Sequence, residues 1–157
     1  MRRPLRLRAL AAALTTAVAA LVASGCGEQR SLPSACVQAT SDDVAQVLAA
    51  APERAALPDG TKLSECVDRA EDDGALQTLG LTFVAVADRL AARVDRSDEA
   101  AFQLGFLIGA AERGAGPTGG LQAELVQRLQ QTVSFEADDV HEQREVLRGI
   151  AAGRRAG

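Results

Sequence analysis

The chain has 157 residues and a formal net charge of −4 at pH 7, with 47% hydrophobic and 24% charged residues. Its aromatic complement is four phenylalanines, without tryptophan or tyrosine, which weakens any reading that stacks sugars or single-stranded bases on aromatic platforms. The acidic balance argues against nucleic acid and anionic lipid as partners, because both require a cationic face.

At the start of the chain, Arg2, Arg3, Arg6 and Arg8 precede an apolar run over residues 9–23 and then small residues, the layout of a secretory signal. The run falls short of the about 20 apolar residues that a spanning helix needs. Ala23, Ser24 and Gly25 stand directly before Cys26, with Leu21 and Val22 just upstream. This stretch resembles the lipobox of bacterial lipoproteins, whose cysteine is acylated and becomes the new N-terminus. The resemblance covers the signal alone. It implies cleavage after residue 25, lipidation of Cys26, and attachment to the extracytoplasmic face of the cell membrane through acyl chains, at roughly 0.8 kcal/mol per buried methylene. Simple secretion and an uncleaved anchor are the competing readings. Arg2-Arg3 also begins a twin-arginine signal, but the rest of that pattern does not follow.

Residues 27–35 have no apolar periodicity and contain Ser31, Pro33 and Ser34, so they read as a flexible tether. The expected organisation is a signal peptide over residues 1–25, an acylated N-terminus and tether over 26–35, and a single α-helical domain over 36–157. Removing the signal removes four arginines, leaving thirteen basic against twenty-one acidic residues and a net charge of −8. With Cys26 given to lipid, Cys36 and Cys66 remain as an even pair in an oxidising compartment, which favours a disulfide. Two buried free thiols are the alternative, and a redox role lacks the Cys-x-x-Cys spacing.

Apolar residues in the domain recur at three and four, so helix is the default and an all-α compact bundle of about five to six helices is expected. Residues 42–51 form a first helix that Ser41 can cap, with Val44, Val47, Leu48 and Ala51 on one stripe. After the Pro58-Asp59-Gly60 turn, a short helix over residues 62–72 turns Leu63, Cys66, Val67 and Ala70 inward. Residues 75–94 place Leu76, Leu79, Phe83, Val86, Leu90 and Val94 on one face, and Leu81 and Val84 widen it.

Ser97 then caps a helix over residues 98–113 whose body is apolar nearly all round, which makes it the expected central helix. Ala101, Gly105 and Gly109 lie four apart and form a small-residue seam like the close-packing face of transmembrane dimers. The expectation is that another helix of the same domain crosses there, through Gly80 or the Ala87 and Ala91 ridge. Gly114-Ala115-Gly116-Pro117-Thr118-Gly119 satisfies G-x-G-x-x-G, but a helix precedes it instead of a strand, so it reads as a turn in which Thr118 can cap the next helix. That helix, residues 121–133, repeats Leu121, Leu125, Leu129 and Val133 at four. The last, residues 138–152, offers Val140, Leu147, Ile150 and Ala151 to the core, with Gly149 and Gly153 weakening its end and residues 154–157 fraying.

Signs of chemistry are few. His141 is the sole histidine and reads as a solvated helix-surface residue, with no second nitrogen or sulfur ligand at a metal-binding spacing. The acid clusters at residues 71–73, 95–99 and 138–139 lack the ligand order and central glycine of an EF-hand and read as helix ends. Ser64, Ser97 and Ser134 stand in no G-x-S-x-G setting. No enzyme, cofactor or metal is therefore expected. The leading expectation is a membrane-anchored helical module that docks a protein partner in the cell envelope. The alternative is a carrier or sensor of a small apolar ligand or lipid, lodged between the Phe83 and Phe102/Phe106 helices.

Overall fold

The computed structural model describes residues 31–117, 120–133 and 139–157. Cys26, Thr118, Ser134 and Asp138 lie outside them. Among the described residues there is no strand, and seven α-helices build an all-α bundle. They are α1 (Ser34–Gln38), α2 (Ser41–Ala49), α3 (Leu63–Asp68), α4 (Asp73–Ala91), α5 (Asp98–Ala115), α6 (Leu121–Gln131) and α7 (Val140–Ala156), with a 3₁₀ turn at Val94–Arg96 between α4 and α5. Six of them, α2 to α7, answer to the helices read from the periodicity, and the addition is the five-residue α1, too short to show a repeat.

The chain joins the bundle earlier than a tether ending at residue 35 would allow. Leu32 and Ala35 already pack on the core, and α1 is held down because Cys36 is bridged to Cys66 in α3. Helix α2 starts at Ser41, the expected cap itself. Thr40 takes that role instead of Ser41: Asp43 N donates to Thr40 Oγ1 at 3.2 Å while Thr40 N donates to Asp43 Oδ2 at 2.8 Å, a reciprocal capping box. Helix α3 stops at Asp68, and Asp72 caps α4 by accepting from Ala75 N at 2.8 Å. Ser97 caps α5 as its position predicts, accepting from Ala100 N at 3.1 Å.

Helix α5 is the axis of the fold. Leu104, Phe106, Leu107, Ile108, Ala110 and Ala111 are all buried, and the helix touches α2, α3, α4, α6 and α7. Its small-residue seam meets α7, and not Gly80 or the Ala87 and Ala91 ridge of α4. A Cβ added to Gly105 would lie 2.9 Å from the Val146 carbonyl carbon and 3.0 Å from Ile150 N, and one on Gly109 would lie 2.9 Å from the Ile150 carbonyl carbon and 3.0 Å from Arg154 N. The fit is mutual: on Gly149 it would meet Phe106 N at 2.8 Å, and on Gly153 it would meet Ala110 N at 2.8 Å. Contacts advance in the same direction along both helices, so α5 and α7 run parallel, backbone against backbone. Each of these four glycines costs up to about 1 kcal/mol of helix propensity against alanine. Close dispersion contact along the seam offsets that cost.

This seam explains where the hydrophobic pattern misleads. Helix α7 presents Val146, Gly149, Ala152 and Gly153 inward, which turns Val140 (66% exposed) and Leu147 (59% exposed) to solvent. Its end does not fray, since the helix runs to Ala156 and Gly157 is buried, with its carbonyl accepting from Ser64 Oγ at 2.6 Å. Gly114 is likewise no turn residue. It lies inside α5, where an added Cβ would come within 2.7 Å of Val67 Cβ on α3. The helix stops two residues later at Gly116, whose φ of 63° suits glycine.

Candidate functional site

Helix α4 has two apolar sides, and only one is needed by the core. Leu79, Phe83, Val86, Ala87 and Leu90 are buried against the rest of the bundle. The other side carries Leu76 and Val84, half buried, and Leu81, which is 71% exposed against the expectation that it widens the inward stripe. Helix α6 lies beside it, sending Leu125 and Leu129 into the core and leaving Leu121 44% exposed. Between the two helices opens a groove of about 910 Å³, with Leu76, Gly80, Val84 and Leu125 among its lining residues. At Gly80 the two helices come together with room for a methyl group: a Cβ there would meet Leu125 Cδ1 at an ordinary 3.7 Å.

The groove's border is polar. Asp73 and Asp88 stand on the α4 side, while Glu124 and Arg128 form an i,i+4 ion pair on the α6 side. Both members of that pair are mostly exposed, so it orients the rim more than it stabilises the helix. Elsewhere on its outer surface α4 exposes Gln77, Thr78, Asp88 and Arg89, so Leu81 is the one large apolar side chain that this helix turns mostly to solvent.

Where the ligand-carrier reading places its ligand, the rings of Phe83, Phe102 and Phe106 lie in or against the core. Phe83 and Phe106 are 1% and 0% exposed, and Phe102 packs on Phe106 with ring centroids 6.3 Å apart. The groove lies instead on α4 and α6. A second, smaller hollow of about 290 Å³ between Ala45, Ala49 and Gln103 is shallow and partly polar.

Other sequence candidates fall into structural roles. His141 Nε2 lies 3.1 Å from Asp98 Oδ2 in an exposed pair that joins the starts of α7 and α5. Asp139 caps α7 by accepting from His141 N at 2.8 Å. Among the described residues no group of three or more His, Cys, Asp or Glu side chains converges as a metal site. Ser64 is buried and its hydroxyl is committed to the Gly157 carbonyl. Cys36 and Cys66 are bridged, with Cα atoms 5.5 Å apart. One polar feature has no signal in the sequence. The Glu145 side chain is only 9% exposed, and Arg148 Nη2 approaches its Oε2 to 2.9 Å off the line a hydrogen bond requires, so this oxygen has an ionic contact but no donor. Arg148 meanwhile lies over the Phe102 ring, 5.2 Å from its centroid.

Set against protein-family models, curated proteins and solved structures, the chain matches none.

Proposed function

We propose that this protein is an extracytoplasmic lipoprotein, anchored through acylated Cys26, whose helical domain is a protein-docking module of the cell envelope without enzymatic activity. The observation that carries the docking part is the α4/α6 groove, where an apolar floor and an exposed Leu81 face solvent, while Phe83, Phe102 and Phe106 are packed in or against the core. A groove flanked by two helices and open along its length suits the apolar face of a third helix. A small ligand binds best when most of its surface is enclosed, which makes the carrier reading the weaker one. The Cys36–Cys66 bridge fits an oxidising compartment, and the small residues before Cys26 support its acylation.

Two measurements test this reading. Metabolic labelling with a palmitate analogue is expected to mark the wild-type chain and to fail for Cys26→Ala, which should leave the membrane fraction or keep its signal; unchanged labelling of the mutant contradicts the anchor. A photo-crosslinking residue in place of Leu81, activated in intact membranes, is expected to capture protein. Capture of lipid alone contradicts the docking role.

A further inference from the structure

The outward face of α7 carries the opposite charge to the chain as a whole. Val140, Arg144, Leu147, Ala151 and Arg155 recur at threes and fours, so they run along the side of the helix away from the glycines that meet α5. Val140 and Leu147 are exposed on this stripe, and the exposed Arg148 and Arg154 flank it on either side. Between Gln143 and Arg155 the only acid is Glu145, which is turned inward and buried. Arg148 and Arg154 each contact a carboxylate, Glu145 and Glu112, whereas among the described residues Arg144 and Arg155 have no carboxylate partner. Arg113 of α5 brings a further guanidinium to the end of the stripe, where it donates to the Arg155 carbonyl.

Aliphatic knobs bordered by arginine suit a membrane interface, where the knobs enter the headgroup layer and the guanidinium groups stay level with the phosphates. The net charge of −8 does not oppose this, because physiological salt screens charges more than about 8 Å away and the nearest face decides. Reach and shape both favour a bilayer over an acidic protein. Ser34, the first residue of α1, is eight residues beyond Cys26, so at about 3.3 Å per residue an acylated Cys26 holds it within roughly 26 Å of the lipid. A single convex helix face offers no groove to a protein partner, while a fluid lipid surface needs no matching shape.

We propose that the outer face of α7 rests on the membrane that holds the acyl chains, with Val140 and Leu147 in the headgroup layer and the arginines around them on anionic phospholipid. This rests on the reading of Cys26 as the lipid anchor and is independent of the groove. Helices α4 and α7 both pack on α5 and make no substantial contact with each other, so α7 on the lipid leaves the α4/α6 groove open to a protein.

The test uses the acylated chain reconstituted on vesicles. An environment-sensitive fluorophore on Leu147→Cys is expected to shift to the blue and to lose most of its quenching by aqueous acrylamide on vesicles of equal parts phosphatidylglycerol and phosphatidylcholine. On phosphatidylcholine alone it is expected to behave as in water. The same fluorophore on Leu81→Cys is expected to stay open to acrylamide on both. Arg144→Glu combined with Arg155→Glu alters two exposed side chains without carboxylate partners, so the fold is spared, which far-ultraviolet circular dichroism checks. It should lower the ratio of docked to undocked domain on the anionic vesicles more than about tenfold, since each arginine near such a surface contributes about fivefold. Flotation with the vesicles reads the anchor separately. A chain that floats with neither composition overturns the anchor and this placement together. A chain that floats while the Leu147 probe stays in water, or is shielded equally on phosphatidylcholine or after the charge reversal, overturns the placement alone. Shielding at Leu147 that requires added envelope protein in place of anionic lipid overturns the lipid contact in favour of an acidic protein.

Discussion

Gly149 of α7 faces Gly105 of α5 at backbone distance: a Cβ on the first would lie 3.0 Å from the Cα of the second. This pair, repeated one turn on by Gly153 and Gly109, sets the spacing of the two helices and so the position of everything packed on α5. Helices α4 and α6 pack on α5 and on each other, and their outer surfaces remain open.

The Cys36–Cys66 bridge closes a loop of sequence separation 30 that contains α2 and the turn before α3. Constraining such a loop in the unfolded chain stabilises the fold by about 3 to 4 kcal/mol. Denaturant unfolding with and without a reductant is expected to differ by that amount, with α1 losing protection from hydrogen exchange first.

The capping box at Thr40 gives a cap and a pH dependence together. Hydrogen bonds from the Thr40 hydroxyl and then from its backbone N–H hold the Asp43 carboxyl below its ordinary value. A lowered folded value means a contribution present above the unfolded one, about pH 3.9, and lost as pH falls through the folded one. Thr40→Ala is expected to cost about 1 kcal/mol near neutrality. Its stability should also fall less steeply with acid than that of the wild type, which thermal melts across the acid range will show.

Among the described residues Arg148 is the sole ionic partner of the buried Glu145 carboxylate, and it also covers the Phe102 ring. Removing it by Arg148→Ala leaves a buried acceptor without compensation, at about 1 to 3 kcal/mol. In Glu145→Ala/Arg148→Ala the combined loss should be smaller than the sum of the single losses. A double-mutant cycle from urea midpoints measures this, and strict additivity would contradict the coupling.

Much of this architecture is legible in the sequence for physical reasons. Helix α5 reads as central because residues 100–111 are apolar nearly all round, and a disulfide is favoured because Cys36 and Cys66 form an even pair if Cys26 carries lipid. The partner of the α5 seam is harder to read. Gly149 and Gly153 on α7 resemble a weak helix end, and hydrophobicity selects Val140 and Leu147 for the core because it gives no weight to a face made of glycine. The four-residue spacing of Gly149, Gly153 and Gly157 is the signal that matches Gly105 and Gly109. The groove is hidden for the opposite reason. Leu81 looks like core beside Phe83 and Val84, and only the placement of α6 decides which flank of α4 stays uncovered.

A paired melting experiment on Gly149→Ala and Gly80→Ala tests the glycine interlock most directly. Both substitutions gain up to about 1 kcal/mol of helix propensity. At Gly80 the new Cβ meets Leu125 Cδ1 at an ordinary 3.7 Å, so the gain should appear as a higher melting temperature. At Gly149 it meets Phe106 N at 2.8 Å, and forcing the two backbones apart should reverse the sign and cost about 1 to 3 kcal/mol. Opposite shifts are the predicted result; a Gly149→Ala chain stabilised as much as Gly80→Ala would contradict the parallel glycine contact between α5 and α7.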